Sequence, residues 1–382
     1  MIVDLKSTPH KTPRLIVEGG LVSKNAYICA SCGFCRFGCP VSKKVGFESQ
    51  TARGRMYILK KILDGELEYE SDLIESFYAC ALCGNCSEIC PAGVDYIEIV
   101  SELRKLFVES GMLPESQKLL RDNLTKYGNP FSKEEERGVW LPLTYREPRK
   151  SKNLYFIGCS SSYSSTRIPK SIMRVLEAVK YDFIVMGNLE NCCGEPLFRM
   201  GEEQKADEFM ERNVEKFDQL GVENIFASCA GCYKTLKNRY PKRFNVLHIT
   251  QLLQQLVEQG ELVFKKEFPR KIIYFDGCDI GRHCGTYEEP RNLLKAIPGV
   301  ELLEFDYNRD EAMCCGGPFA ASAPELAAKI AEDRVREAEE QGADIIAVAC
   351  PTCMVNLRDG ARRAGIEMEV QDITMLLPRL VG

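Results

Sequence analysis

The chain has 382 residues, of which 45% are hydrophobic and 27% are charged, and its formal net charge is −5. This length allows two or three domains, and the composition is that of a soluble globular protein. The negative charge argues against nucleic-acid binding, and no apolar run approaches the roughly 18 residues of a membrane span.

Residues 1–25 are predicted to form a loosely structured N-terminal lead-in. Basic residues occur in this segment, but no apolar stretch of the kind found in secretory signals follows them. The 19 cysteines are an odd number in a long chain without such a signal, which argues against a disulfide framework. The predicted location is the reducing cytoplasm, where a partner protein could hold the chain at the inner face of the membrane.

Two identical cysteine runs of the form C-x2-C-x2-C-x3-C-P follow the lead-in. This spacing is typical of proteins with two [4Fe–4S] clusters, in which the fourth cysteine of each run binds the other cluster. A pair of zinc ribbons, the alternative, does not have this spacing. The runs predict one cubane cluster on Cys29, Cys32, Cys35 and Cys90 and another on Cys80, Cys83, Cys86 and Cys39.

Helical periodicity predicts helices over residues 49–63 and 96–108. We therefore expect a mostly helical two-cluster domain of the ferredoxin type over residues 26–127. The polar, proline-containing passage 128–152 holds the only tryptophan of the chain and is predicted to be a linker.

The rest of the sequence is an internal duplication, with units predicted at 153–262 and 263–382. In each unit a single cysteine, a Cys-Cys-Gly doublet and a C-x2-C pair recur at an offset of about 120 residues. Short apolar strands alternate with amphipathic helices, a pattern that indicates α/β units with parallel sheets. The predicted strands are 153–157, 183–186 and 224–227, then 271–275, 300–305 and 344–349, and the predicted helices are 169–179, 202–220, 290–297 and 325–341.

Each predicted cysteine group comes after the end of a strand. Ligands of open parallel sheets bind at the carboxyl ends of strands, so the pattern predicts two clefts, one in each unit. The predicted fold class is α+β multi-domain: a helical two-cluster domain followed by two duplicated α/β domains with parallel sheets.

The duplicated pattern resembles the Cys-Cys-Gly (CCG) domain of heterodisulfide reductases. From about residue 26 onward, the two ferredoxin runs and the two CCG repeats together resemble the catalytic D-type subunit of the membrane-associated enzyme. The flanking segments 52–55 and 281–291 are also similar to this family.

The resemblance implies that five cysteines in each CCG repeat hold a noncubane [4Fe–4S] cluster. Carried onto this sequence, the two ligand sets implied for these noncubane clusters are Cys159, Cys192, Cys193, Cys229 and Cys232, and Cys278, Cys314, Cys315, Cys350 and Cys353.

No glycine-rich dinucleotide motif follows a predicted strand, so neither flavin nor NAD is expected on this chain.

The family reaction implied by the resemblance is reduction of the coenzyme M–coenzyme B disulfide to two thiols, with the disulfide between the two noncubane clusters. Electrons would come from a partner, either a membrane cytochrome b subunit or a soluble flavoprotein or iron–sulfur protein. His283 is a candidate proton donor. Arg199 and Arg282 could bind anionic groups of a substrate, or could be ordinary surface arginines. The basic segment 53–55 could dock a partner, or could be an ordinary solvated helix face.

Two departures from the family pattern concern the predicted substrate cleft. Asp279 stands where family members commonly carry histidine, and the loop 315–319 is poorer in glycine than usual. Cys284 belongs to neither ligand set and could be a buried hydrophobe, a spare thiol or an exchanging group.

Two other kinds of function are open from the sequence. The same modules serve as electron-transfer subunits of hydroxyacid dehydrogenases, sulfite-reduction membrane complexes and benzoyl-CoA reductase assemblies. The complete second C-x2-C pair, Cys350 and Cys353, favours thiol–disulfide chemistry instead. A scaffold protein with structural metal sites is the third alternative.

Overall fold

A computed structural model describes residues 21–68, 70–147 and 149–381. Most of the predicted lead-in therefore lies outside the described residues. Within the described ranges, no helix is both long enough and apolar enough to cross a bilayer. The chain forms a helical region followed by two α/β units, as the sequence predicts.

The first region is helical because its apolar residues recur at helical spacing. The helix that follows the second cysteine run buries Ile99, Leu103 and Phe107 along one face. The helices of this region are α1 (Leu21–Ile28), α2 (Cys35–Gly38), α3 (Ser42–Val45), α4 (Ala52–Leu63), α5 (Ser71–Tyr78), α6 (Asn85–Glu88), α7 (Tyr96–Glu109) and α8 (Glu115–Tyr127).

Arg55, in the basic segment of α4, is buried and does not lie on a solvated helix face, since it is only 1% exposed. Its Nε and one Nη atom each lie 2.5 Å from a backbone carbonyl oxygen, those of Ser76 and Ala79. Arg55 therefore ties α4 to the chain that enters the second cysteine run, and it is not available for docking a partner.

The first α/β unit has a parallel sheet with the strand order β1-β2-β3. Its strands are β1 (Asn153–Phe156), β2 (Asn224–Ala227) and β3 (Asn245–His248), and its helices are α9 (Cys159–Tyr163), α10 (Arg167–Ala178), α11 (Glu195–Met200), α12 (Glu203–Leu220), α13 (Ala230–Arg239) and α14 (Ile249–Glu258).

The second unit has a four-stranded parallel sheet with the order β5-β4-β6-β7. In this sheet β4 pairs with both β5 and β6. The β4–β6 pair corresponds to the β1–β2 pair of the first unit. Its strands are β4 (Arg270–Tyr274), β5 (Val300–Glu304), β6 (Ile345–Val348) and β7 (Glu369–Asp372), and its helices are α15 (Glu288–Lys295), α16 (Pro324–Glu340), α17 (Pro351–Ala364) and α18 (Ile373–Leu376).

The predicted strand 183–186 is wrong, because this segment makes only one parallel bridge, from Ile184 to Leu154 of β1. Lys180 has a left-handed φ of +56° just before the bridge, and a 3₁₀ turn (Gly187–Leu189) begins just after it. The chain therefore runs beside β1 for too short a distance to form a ladder. In the second unit, β5 occupies the corresponding edge.

The sequence gives no sign of β3 and β7, which each close one edge of a sheet. β3 has the sequence Asn-Val-Leu-His and β7 has Glu-Val-Gln-Asp, and neither contains a run of apolar residues. Both strands are partly exposed, so they lack the continuous apolar run that identifies a buried strand.

A buried charge group in the second unit leads to a stability prediction. Arg291 is fully buried and pairs with Asp276 at 2.6 Å and with Glu304 at 2.7 Å. Arg291→Met leaves Asp276 buried without its partner, so we expect a loss of about 3–5 kcal/mol in the free energy of unfolding. Denaturant unfolding of the anaerobically purified protein, followed by circular dichroism, measures this loss.

Arg243→Met is the matched control, because Arg243 pairs with Asp218 at 2.7 Å but both side chains are more than half exposed. An exposed pair contributes at most about 1 kcal/mol. Equal losses in the two variants would contradict the structural role of the buried pair.

Candidate functional site: two five-cysteine groups around one cavity

The four strands β1, β2, β4 and β6 deliver the single cysteines and the C-x2-C pairs. Cys229 directly precedes α13 and Cys350 directly precedes α17, as the N-cap residue in each case. Backbone N–H groups and the helix dipole at such an N-terminus favour the negatively charged thiolate over the thiol. The arrangement therefore prepares these cysteines to bind a cation.

Each Cys-Cys-Gly doublet ends in a glycine that the turn requires. Gly194 and Gly316 have φ values of +91° and +82°, in the left-handed region. A Cβ atom on Gly316 would also lie 2.5 Å from the carbonyl oxygen of Ala327. These turns hold both cysteines of each doublet in buried positions.

We call Cys159, Cys192, Cys193, Cys229 and Cys232 the first site, and Cys278, Cys314, Cys315, Cys350 and Cys353 the second site. The thiols of each site contact one another, and the two sites also touch. The Sγ atoms of Cys315 and Cys353 are 3.3 Å apart. Other thiols lie near enough to influence each other's pKa: Cys159 and Cys192, Cys192 and Cys193, Cys193 and Cys232, Cys229 and Cys232, Cys278 and Cys314, Cys314 and Cys315, Cys350 and Cys353 and, between the sites, Cys229 and Cys350.

The second cysteine of each doublet is the most acidic of its pair. Hydrogen bonds from Cys192 and Cys232 lower the pKa of Cys193 to about 6, although burial opposes this shift. Neighbouring thiols in the same way lower the pKa of Cys315. Each site therefore contains a thiolate at neutral pH, which is the form that binds metal.

The two sites line one cavity of about 530 Å³ instead of the two separate clefts predicted. Nine of the ten cysteines reach its wall, and Cys314 does not. The reason is that the N-terminal ends of α13 and α17 meet where the two units join, and the Ser160 and Thr352 hydroxyl oxygens are 3.4 Å apart across that junction. Helix α8 and Phe131 also contribute to the wall, so the helical region helps to enclose the cavity.

A group of four charged side chains joins the two units, and three of them, Glu195, Arg199 and Asp279, form part of the cavity wall. Lys234 Nζ lies 2.7 Å from Asp279 and 3.3 Å from Glu195. Arg199 donates to Glu195 and to Asp279, and also to the backbone carbonyl of Ala81. Burial opposes ionisation of Asp279, but Lys234 and Arg199 together lower its pKa. Asp279 is thus a carboxylate held by two cations, and Arg199 is already engaged with protein groups.

The structure does not bring His283 to the cavity. Its Nε2 atom lies 2.9 Å from the carbonyl oxygen of Leu82, in the second cysteine run. Burial lowers the pKa of His283 to about 4. We therefore assign His283 no role in proton supply, because the neutral ring faces the ferredoxin-type region.

Arg282 joins the second unit to the second cysteine run. Its Nε donates to the carbonyl oxygen of Cys83 at 2.8 Å, and Asn85 Nδ2 donates to the carbonyl oxygen of Ala312 at 3.1 Å. The side chains of Cys83 and Cys314 also pack together in one buried cluster. The second run therefore lies directly against the second site.

Some cysteines of each predicted cubane set are neighbours in the structure. Burial, followed by the nearby Cys29 thiol, raises the pKa of Cys35 to about 11. The place of Cys90 in that first set rests on spacing alone. The second predicted set, Cys39, Cys80, Cys83 and Cys86, surrounds a small cavity of about 20 Å³.

The donor chemistry of these cysteines fits iron–sulfur clusters. All 19 cysteines lie in the described part of the chain and none forms a disulfide. Across the described residues, no three Cys, His, Asp or Glu side chains are placed to hold a single metal ion. A multi-iron core is wider than one ion, and thiolates from several loops are its usual ligands.

Sequence reasoning missed three residues beside the first site. Arg137 donates to the Cys159 sulfur from the passage predicted as a linker, and no motif marks it. Glu195 follows the doublet glycine directly, and Lys234 lies two residues after Cys232. Their positions beside motif residues are a signal that could have identified Glu195 and Lys234.

Comparisons with known proteins agree with this architecture. The profile of the cysteine-rich (CCG) domain matches residues 153–237 and 272–358, and that of a 4Fe–4S dicluster domain matches residues 25–94. The chain is 32% identical to the D-type subunit of the dihydromethanophenazine:CoB–CoM heterodisulfide reductase of Methanosarcina barkeri, over 99% of this chain and 98% of that protein.

Two further similarities are more distant. The EtfAB:quinone oxidoreductase of Syntrophomonas wolfei is 28% identical over 80% of this chain and 46% of that protein. The crystal structure of a hypothetical protein from Helicobacter pylori shares the fold, with a TM-score of 0.61 and 10% identity, over 96% of this chain and 73% of that chain. The domains, their order and the full-length identity confirm the resemblance: the chain is an iron–sulfur oxidoreductase that belongs to the family of D-type heterodisulfide reductase subunits.

Proposed function

We propose that the chain takes electrons from a partner protein and uses them to reduce a disulfide to two thiols in the cavity between the two sites. The eight cysteines of the two runs would hold two cubane [4Fe–4S] clusters. Each five-cysteine site would hold one noncubane [4Fe–4S] cluster. The observation that carries the proposal is that both sites open onto the same cavity.

Disulfide reduction needs two electrons and two protons: R–S–S–R′ + 2e⁻ + 2H⁺ → R–SH + R′–SH. Clusters held by the cysteines of the two sites would supply the electrons one at a time, and two sites on one cavity would allow one electron to reach each sulfur. The chain itself shapes the space for the disulfide. The Ser160 and Thr352 hydroxyls mark the junction of the two units, and Glu195, Arg199 and Asp279 form a charged wall beside it.

The arginines on this wall are already bonded to protein groups, so they do not indicate the substrate. Arg199 is paired with two carboxylates, and Arg104 donates to the carbonyl oxygens of Arg199, Phe77 and Cys80. A disulfide of the coenzyme M–coenzyme B type is the substrate class that we propose from family membership.

A second candidate function is electron transfer without disulfide chemistry. The similarity to a quinone oxidoreductase supports this alternative, because that relative is named for a different final acceptor. In that case the cavity would not take up a disulfide, although the clusters would be the same.

Iron counting and a turnover assay test the proposal together. Four [4Fe–4S] clusters require about sixteen irons for each chain, and about eight would contradict clusters in the two five-cysteine sites. With iron complete, the chain should oxidise reduced methyl viologen when the coenzyme M–coenzyme B disulfide is added. Full iron without turnover would favour the electron-transfer function.

We also propose that the electron-donor protein docks beside the first cysteine run. Cys32 is the one exposed cysteine among the 19, so the predicted chain of clusters reaches solvent here. Exposed aromatic and aliphatic side chains lie on the same run and the helices beside it, with Phe34 at 64% and Phe47 at 67% exposure. We call Tyr27, Ile28, Phe34, Phe37 and Phe47 the outer-cluster surface.

The charge around the outer-cluster surface indicates the kind of partner. Residues 24–66 contain eight basic and three acidic side chains, although the whole chain is negative. Arg36 and Lys43 are exposed there, and Lys43 Nζ lies 5.0 Å from the centre of the Phe37 ring. An apolar centre with a basic rim fits a redox protein whose cofactor is surrounded by acidic residues.

Charge reversal at this rim tests the docking site. With a reduced acidic plant-type ferredoxin as the donor, the double variant Arg36→Glu, Lys43→Glu should accept electrons at least about tenfold more slowly at low salt. Reduced methyl viologen, a small radical cation, should still serve as a donor without such a loss. The control Lys266→Glu, Lys271→Glu reverses the same charge on the second α/β unit. A loss of equal size in this control would contradict a local docking site.

A further inference from the structure

Arg137 lies against a cysteine of the first site although it belongs to neither repeat. Its side chain is 6% exposed. One Nη atom donates to Cys159 Sγ at 3.2 Å and to the carbonyl oxygen of Gly128 at 3.3 Å, and the other donates to Glu190 at 2.9 Å. A buried guanidinium with a donor on a ligand sulfur is a specific arrangement, since an arginine is rarely buried without a reason.

Glu190 fixes the arginine in this position. Its carboxylate accepts from the backbone N–H groups of Ile157 at 2.9 Å and Gly158 at 2.8 Å, the two residues immediately before Cys159. The side chain of Glu190 is 1% exposed. The Arg137–Glu190 pair is therefore attached to the same loop that presents Cys159, and the N–H···S contact does not depend on a mobile side chain.

The second site has no counterpart of this contact. None of the described arginines donates to the sulfur of Cys278, the residue that corresponds to Cys159. Arg282 is four residues from Cys278, but its bonded N–H groups go to the carbonyl oxygens of Cys83, Asp310 and Ala312. The charges of Arg199 and Arg282 also lie near Cys278. The two sites share ligand types and differ in the hydrogen bond that an arginine donates to the first ligand sulfur.

We propose that Arg137 is a positioning residue that raises the reduction potential of the first site above that of the second. A hydrogen bond and a positive charge at a ligand sulfur stabilise the extra electron of a reduced cluster, and both are known to set cluster potentials. This inference rests on the proposed function in one respect, namely that both five-cysteine sites hold clusters.

The position of the second site indicates the order in which electrons would reach the two sites. The Cys314 side chain of the second site packs in one buried cluster with Cys83 of the second cysteine run, whereas the first site adjoins the second site, where Cys229 and Cys350 are neighbours. Electrons from the runs would thus meet the second site first. A higher potential at the first site would draw the electron onward across the cavity, so that both sites can be charged before the disulfide is cleaved.

Redox titration of the anaerobically purified chain, followed by EPR, tests the inference without any turnover. Arg137→Gln removes the charge, and we expect the midpoint potential of one five-cysteine cluster to fall while the other clusters keep theirs. The EPR signal whose midpoint potential shifts in Arg137→Gln should be the signal that is absent from Cys193→Ala. Arg137→Lys keeps the charge and should produce a smaller shift.

Glu190→Gln provides a second variant with the opposite expected sign. It keeps the arginine but removes the negative charge beside it, so the potential of the same cluster should rise. A merely structural role would not give shifts of opposite sign. Arg146→Gln, in the same passage but bonded to the carbonyl oxygens of Leu141 and Val139, is the control.

The possible failures can be told apart. Unchanged potentials in both the Arg137→Gln and Glu190→Gln variants, at full iron content, would overturn the role of Arg137 and leave the proposed function intact. About eight irons in the unmodified chain would instead overturn the proposed function. If Arg137→Gln loses its iron, then Arg137→Lys and Glu190→Gln decide the question, and shifts of the same sign would contradict the inference.

Discussion

Cys193→Ala and Cys315→Ala are each expected to remove about four irons from the chain and to lower the rate of disulfide reduction more than about 100-fold. Each variant deletes the doublet thiol with the lowered pKa, which is the thiolate that neighbouring thiols support by hydrogen bonds. A cluster with four remaining cysteines in a geometry built for five should not persist. Disulfide cleavage should fail because it needs both sites.

The two cubane clusters should survive in both variants. The thiols that most affect Cys193, those of Cys192 and Cys232, belong to the first site, so we expect its loss to leave the second site and the runs complete. Cys315 contacts Cys314 and Cys353, and Cys314 in turn touches Cys83, so a small change in the EPR signal of one cubane cluster is expected in Cys315→Ala only. Iron analysis and EPR of the reduced proteins measure both effects.

Cys284→Ala is the matched control for a lost thiol. Cys284 is half-buried, lies outside both sites, and does not reach the cavity wall. Burial raises the pKa of its thiol to about 11, so it is a protonated side chain at neutral pH. This variant should keep all its iron and its activity. Loss of every cluster in Cys193→Ala would contradict separate sites, and loss of activity in Cys284→Ala would show that the nineteenth cysteine takes part in the reaction.

Much of the fold could be predicted because its signals are local. Strands β1, β2, β4 and β6 are apolar, and each is followed closely by a cysteine, so the carboxyl-end rule for parallel sheets applies directly. The duplication itself is visible in the spacing of the cysteines. Edge strands β3 and β7 and the short bridge at Ile184 carry no comparable signal, because their pairing depends on neighbours that are distant in sequence.

The site was harder to predict where it depends on contacts between domains. The single cavity arises because Cys229 and Cys350 meet across the two units, and spacing within each repeat does not report the distance between repeats. The pairing of Lys234 with Asp279 likewise joins residues 45 positions apart in different units. Arg137 lies in a passage whose proline and polar residues predict only a linker, since a contact made by one long side chain leaves no periodicity.

Gly158→Ala is expected to disrupt the first site, and its counterpart Gly277→Ala is expected to be tolerated. Gly158 immediately precedes Cys159 and has φ +78° and ψ 162°, a conformation that is essentially restricted to glycine. A Cβ atom there would lie 2.8 Å from Cys232 Sγ. The substitution therefore adds backbone strain of about 1–3 kcal/mol and pushes the Cys232 sulfur away from its position in the first site.

Gly277 holds the equivalent place before Cys278, yet its environment differs. It is not among the glycines with positive φ. A Cβ atom at Gly277 would be 3.5 Å from Ile280 Cγ2 and 3.7 Å from Cys353 Sγ, which are ordinary contact distances. Because the two glycines share their sequence position but not their conformation, the pair separates the effect of the substitution from the effect of the site.

Iron analysis should find about four irons fewer in Gly158→Ala and no loss in Gly277→Ala. The EPR signal that disappears in Gly158→Ala should match the one that disappears in Cys193→Ala, and the signals of the cubane clusters should remain. Equal iron in the two glycine variants would mean that the first site tolerates displacement of Cys232. The Gly158 N–H and the Arg137 guanidinium both bind Glu190, so the loop that presents Cys159 is constrained on both sides. The difference between the two sites expected for the glycine variants therefore has the same origin as the difference expected for Arg137.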